Sequence, residues 1–182
     1  MIKGGQGGGN TITGLLFEQR TDLLELLAAT QGYEIFDAPI GKSIFYNGQQ
    51  VAACYRKHDL YRFLKSKGIQ WKKFLAARLL PDDALYVIHN NTLFVIELKF
   101  QGRGGSVDEK LQTCDFKKKQ YKKLLSQLNI EVEYIYVLSD WFKNPRYKDS
   151  LDYVISVGCQ FYFGYLPLQK LGLPVPQATS ID

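Results

Sequence analysis

The sequence predicts a mixed α/β protein, a central sheet with helices on both faces. Three observations carry that reading. Apolar and polar residues alternate with the two-residue period of a strand in short runs, above all 92–100 (TLFVIELKF) and 131–138 (EVEYIYVL). Segments with helical spacing sit between and around those runs. Strand-like and helix-like segments also alternate along the chain instead of separating into blocks. With 46% hydrophobic and 14% aromatic residues, the 182-residue chain is expected to form one domain with a full core.

Residues 1–10 (MIKGGQGGGN) read as a glycine-rich lead-in. Residues 11–29 read as a helix, with Ile12, Leu15, Leu16, Leu23, Leu26 and Leu27 at helical spacing. Short strands are expected at 33–36, 43–46 and 51–54, punctuated by Pro39, Gly41 and the Asn47-Gly48 turn signal. Two basic helices follow, at about 57–67 and 71–79. Strands at 84–89 and 92–100 are joined at Asn90-Asn91, a pair that tolerates the positive φ of a two-residue turn. After the glycine-rich QGRGGS (101–106), Ser106 and Glu109 form a capping box that starts a helix running to about residue 128. A strand at 131–138, a helix near 147–154 and a strand near 160–165 complete a single domain spanning 11–166. Residues 167–182 contain three prolines and read as an extended tail.

No run of 18 apolar residues is present, so no membrane span is expected. The N-terminus lacks an apolar signal segment, and Cys54, Cys114 and Cys159 are odd in number and far apart. Both features predict a cytoplasmic protein without a disulfide framework or a zinc site. The formal charge is +5, and it is concentrated. Residues 56–78 hold eight Lys and Arg against the single acid Asp59, and 110–123 hold six lysines against Asp115. Each run alone fits a solvated helix face. Together they point to a phosphate backbone as partner.

Between those runs lies LPDDALYVIHNNTLFVIELKF (80–100). In an alternating strand Glu97 and Lys99 share one face, and Ile96, Leu98 and Phe100 take the other. If Asn90-Asn91 is the loop, His89 pairs with Thr92, Ala84 with Glu97 and Asp82 with Lys99. Asp82 then joins Glu97 and Lys99, while Asp83 points away; a one-residue slip would substitute Asp83. Two carboxylates and an ammonium in an apolar hairpin are costly unless paired or metal-bound. A structural ion pair is one explanation. The other is a Mg²⁺ site, since hard cations take carboxylate oxygens and few protein ligands. Two more acid-x-Lys triplets, Asp108-Glu-Lys110 and Asp115-Phe-Lys117, fall on the expected helix and carry less weight.

Pro81-Asp82, a hairpin, then Glu97-Leu-Lys99 resembles the PD-(D/E)XK nuclease superfamily. So do a preceding helix with Phe17-Glu18 and a basic helix after the strand. GGSVDEKLQTCDFKKKQY (104–121) is similar to the segment following that motif in some restriction endonucleases. The resemblance covers roughly residues 11–138 and implies a restriction-endonuclease-like core. It implies catalytic roles for Asp82, Glu97, Lys99 and Glu18. Mg²⁺ would be held by Asp82, Glu97 and the carbonyl of Leu98, with Mn²⁺ expected to substitute. DNA contacts would come from Lys110, Gln112, Arg103, Lys117 and Lys118. The implied activity is Mg²⁺-dependent endonucleolytic cleavage of double-stranded DNA by a Type II restriction enzyme, as a homodimer or with a partner subunit. A Holliday-junction resolvase, a transposon or repair nuclease, and a non-catalytic DNA-binding subunit are the alternatives.

Overall fold

Alternation in the middle of the chain resolves into a seven-stranded sheet whose strands are neighbours in sequence order. The computed structural model describes residues 13–17, 22–100 and 110–177. The expected lead-in at 1–10, the glycine-rich 101–106 and the Ser106–Glu109 capping box lie outside them. The sheet contains β2 (Tyr33–Asp37), β3 (Lys42–Tyr46), β4 (Gln49–Cys54), β5 (Asp83–Val87), β6 (Thr92–Lys99), β7 (Glu131–Leu138) and β8 (Gln160–Phe163). β2 through β6 pair antiparallel, while β6–β7 and β7–β8 are parallel. The protein is therefore mixed α/β with a mostly antiparallel sheet. Each of the two parallel connections contains a helix, since a parallel return needs a crossover, and the antiparallel β4–β5 connection carries one as well.

The Asn47-Gly48 signal becomes the β3–β4 turn, with positive φ at both residues, a backbone that Asn and Gly accept most readily. Helix α1 (Leu23–Ala28) begins where the Asp22 carboxylate accepts from the Leu24 and Glu25 amides, at 2.8 and 3.3 Å. Helices α2 (His58–Ser66), α3 (Cys114–Leu125) and α4 (Lys148–Ser156) supply the rest of the helical layers.

Two cores form, one on each face of the sheet. Leu60, Phe63 and Leu64 of α2, Cys114, Tyr121, Leu124 and Leu125 of α3 and Val154 of α4 pack on Leu93, Val95, Val132, Tyr134 and Tyr136. On the other face Leu23, Leu24 and Leu27 of α1 pack with Leu85, Val87, Phe94, Ile96, Ile135 and Val137. Each fully buried leucine contributes about 1.5–3 kcal/mol. No helix among the described residues is long and apolar enough to cross a membrane.

The ends of the chain differ from expectation. Within the segment read as one helix, Gly14–Leu16 is a strand, β1, paired antiparallel with β9 (Tyr165–Pro167). A side chain at position 14 would place its Cβ 2.5 Å from the Tyr165 ring, so glycine is needed for this approach. The stretch read as a tail is tied down instead. Leu168, Leu171 and Leu173 are buried beside α1 and β1, and Tyr33 donates to the carbonyl of Pro174 at 2.5 Å. The second basic helix shrinks to a single 3₁₀ turn, Trp71–Lys73. Past it, the Tyr61 hydroxyl takes both backbone groups of Leu79, donating to its carbonyl at 2.9 Å and accepting from its amide at 2.7 Å.

Candidate carboxylate and lysine site

The β5–β6 hairpin has Val87 opposite Thr92, Leu85 opposite Phe94 and Asp83 opposite Ile96. The loop is 88–91, two residues longer than the Asn90-Asn91 turn, with Asn91 at φ +50° donating to the Ile88 carbonyl at 3.2 Å. The register therefore moves by two residues from the expected one, an even number. Side chains repeat every two residues along a strand, so each one keeps its face. Continued one step past β5, this register puts Asp82 opposite Glu97 instead of Lys99.

Asp83 goes to the opposite face. Its carboxylate is buried and lies 2.6 Å from Arg56 Nε, while the same guanidinium reaches Asp22 at 2.7 Å. Burial pushes the Asp83 carboxyl above its ordinary value, against the pull of Arg56. The two adjacent aspartates thus have separate surroundings, with Asp83 bound into the Asp22–Arg56 pair. Asp82 is exposed and makes no hydrogen bond or ion pair among the described residues.

Glu97 is only 6% exposed. Its Oε1 accepts from Lys117 Nζ of α3 at 2.6 Å and from the Tyr134 hydroxyl of β7. Its Oε2 is buried and accepts no hydrogen bond. Lys99 Nζ stands 2.9 Å from that oxygen, near enough for charge attraction but not aligned to donate. Burial raises the Glu97 carboxyl, yet Lys99, Lys117 and Tyr134 outweigh it and hold the group below its ordinary value. Glu97 is therefore ionised at neutral pH inside an apolar sheet.

Tyrosines connect the site to its surroundings. Burial, followed by the fields of Tyr61, Glu97 and Asp82, raises the Tyr121 hydroxyl of α3 above its ordinary value. The Tyr136 hydroxyl donates to the carbonyls of Lys110 and Leu111 at 3.0 and 3.4 Å, fixing the segment that leads into α3. The Lys99 carbonyl accepts from Ser139 on the β7 side at 3.1 Å. Carbonyls alternate along a strand, so that of Leu98 faces the other edge, where β5 has already ended.

The expected site residues sort as follows. Asp82, Glu97, Lys99 and the Leu98 carbonyl gather at the ends of β5 and β6. Lys110 and Gln112 are exposed on the segment held by Tyr136. Lys117 and Lys118 turn inward instead of forming a row facing phosphate. Lys117 joins Glu97, and Lys118 is buried, donating to Glu133 at 2.9 Å and to the Gly158 carbonyl at 2.6 Å. Glu18 and Arg103 lie outside the described residues. Sequence reasoning did not find Tyr134, although the Tyr134-Ile-Tyr136 alternation in an apolar strand is a usable signal for two hydroxyls on one face.

The donor set suits a hard cation in part. Asp82 offers a free carboxylate, Glu97 an unsatisfied buried oxygen, and Leu98 a carbonyl at a vacated strand edge. Among the described residues no three His, Cys, Asp or Glu side chains group together as metal ligands. A cation here would rest on two carboxylates, one carbonyl and water, a composition that Mg²⁺ accepts. Comparison with family models, with curated proteins and with solved structures returned no match.

Proposed function

We propose that the protein is a Mg²⁺-dependent endonuclease that hydrolyses phosphodiester bonds in double-stranded DNA, in the manner of a Type II restriction enzyme. The observation that carries this reading is the buried, unsatisfied Glu97 Oε2, on the same face as the uncommitted Asp82 and 2.9 Å from Lys99. A buried carboxylate oxygen that accepts no hydrogen bond and has only the Lys99 charge beside it is costly, and functional sites are where such costs concentrate.

Asp82, Glu97 and the Leu98 carbonyl would hold Mg²⁺, which when bound would offset charge building up on the phosphate under attack. Glu97 is kept ionised for that role by Lys99, Lys117 and Tyr134. Lys99 orients the attacking water and contacts the phosphate. The water gives up a proton to solvent as its oxygen forms the new bond to phosphorus, the bond to the leaving oxygen breaks, and that oxygen takes a proton from solvent. The exposed lysines of α2 and α3 supply the electrostatic hold on the DNA backbone.

One observation favours a second reading. Glu97 has two lysines around it, as a purely structural ion cluster in a basic DNA-binding subunit would. Incubating purified protein with plasmid DNA and Mg²⁺, and sequencing the fragment ends, decides between them. Discrete bands with defined ends support a restriction nuclease. Cleavage confined to branched DNA points to a resolvase, and binding without cleavage in Mg²⁺ or Mn²⁺ rejects the enzyme.

A further inference from the structure

A cavity of about 480 Å³ opens beside α2, and none of its lining residues belongs to the Glu97 cluster. Its walls combine two kinds of group. Tyr61 and Trp71 form an aromatic corner with their rings 5.6 Å apart, edge to face. Arg62, Lys65, Lys72 and Arg78 surround that corner with positive charge. The Arg78 guanidinium lies 4.9 Å from the Trp71 ring centre and 5.4 Å from that of Tyr61. Arg62 is paired with Asp59 at 3.0 Å, whereas Lys65, Lys72 and Arg78 have no carboxylate partner among the described residues. Flat π-surface ringed by unpaired cations fits a ligand that is flat at one end and anionic at the other, and the volume accommodates one nucleotide.

The chain path connects this cavity to the carboxylates. Tyr61 holds both backbone groups of Leu79, three residues before Asp82. The Lys57 amide, at the start of α2, donates to the Pro81 carbonyl at 3.0 Å, and Lys57 adopts φ +47°, an unusual backbone for lysine. The cavity wall and the Pro81-Asp82 turn are thus two ends of one short, doubly anchored segment.

Building on the nuclease reading, we infer that this cavity takes one unpaired nucleotide of the bound DNA, its base against the half-buried Trp71 indole, which the buried Tyr61 supports from behind, and its phosphate among Lys65, Lys72 and Arg78. A fully stacked duplex keeps its bases inside and cannot fill such a corner. A nucleotide turned out of the helix, or at a frayed or bulged position, can.

The test is binding in EDTA, where cleavage does not interfere. Three labelled duplexes are compared by fluorescence anisotropy: fully paired, the same with one unpaired 2-aminopurine, and the same with an abasic residue there. The unpaired base is expected to tighten binding about tenfold over both others and to lose its fluorescence on stacking. Trp71→Ala should abolish that gain and leave paired-duplex binding unchanged. Arg78→Ala, an exposed substitution that leaves folding intact, should reduce the gain as well. Equal affinity for all three duplexes, or a gain that survives both variants, overturns the inference. Competition by free dAMP as strong as by the unpaired duplex also overturns it, in favour of a free-nucleotide pocket. Plasmid cleavage by wild type in Mg²⁺ is scored separately. A base-dependent gain without any cleavage rejects the nuclease reading and leaves the pocket standing.

Discussion

Lys117 Nζ, on helix α3, lies 2.6 Å from Glu97 Oε1, on strand β6. The helix after the glycine-rich segment therefore contributes directly to the charge state of the strand carboxylate. Removing this ammonium leaves Glu97 buried with one fewer cation. Lys117→Met is expected to raise the Glu97 carboxyl toward its ordinary value and to cost about 3 kcal/mol of stability, the scale for breaking a buried pair. Urea denaturation measures the cost. A fall in Mg²⁺-dependent cleavage whose acid limb moves to higher pH identifies Lys117 as a positioning residue. A stability loss with an unmoved pH profile would limit it to structure.

The adjacent aspartates should separate cleanly. Asp82→Ala removes an exposed side chain without partners, so stability should change by no more than about 0.5 kcal/mol while cleavage falls at least a thousandfold. Asp83→Ala removes the buried one of two carboxylates on Arg56, which keeps Asp22, and about 1.5–3 kcal/mol of stability should be lost, the scale of a hydrogen bond to a charged group, with cleavage per folded molecule retained. The reverse pattern, with Asp83 essential and Asp82 silent, would invalidate the site assignment.

Much of this division was legible in the sequence because strand geometry is binary. The loop is two residues longer than the Asn90-Asn91 pair predicts, yet Asp82 and Glu97 share a face in either register, since only odd slips exchange faces. What was not legible depended on distant partners. Lys118 looks like its neighbours in the lysine run, and only Glu133 and the Gly158 carbonyl, brought close by β7 and β8, show that it is internal. Leu15 and Leu16 fit a helical spacing with Leu23 equally well. The competing pairing of Gly14–Leu16 with residues 165–167 lies across almost the whole chain, where local pattern carries no information.

Acid should weaken the fold through Glu97 in a definite direction. Its folded-state value lies below the unfolded one, so its contribution is complete above the unfolded value, about pH 4.3. That contribution is lost as pH falls through the folded value. Glu97→Gln should be less stable than wild type at pH 7, and the gap should narrow as pH drops below about 4.5. Thermal melts at pH 7 and pH 3 read this out. A gap that widens in acid contradicts the sign.

DNA binding should weaken steeply with salt, and the lysines should divide by placement. Lys65→Ala or Lys122→Ala, both exposed, should each lower the slope of log affinity against log salt by about one. Lys118→Ala should leave the slope unchanged and lower the melting temperature, because its ammonium is already committed to Glu133 and Gly158. Affinity titrations from 50 to 300 mM NaCl distinguish the two classes.

The pairing of β1 with β9 has a consequence for how the molecule comes into being. The sheet is assembled from strands that follow one another, so each can add to a neighbour already made. The clasp cannot: Thr13 Oγ1 meets the Tyr165 hydroxyl at 2.6 Å across a separation of 152 residues, and Phe17 donates to Gly164 at 2.7 Å. Loop-closure entropy delays such contacts until the intervening chain is compact. The clasp is therefore closed at the cost of a loop that spans most of the described residues, and Leu168, Leu171 and Leu173 complete the core beside α1 only through that long-range contact.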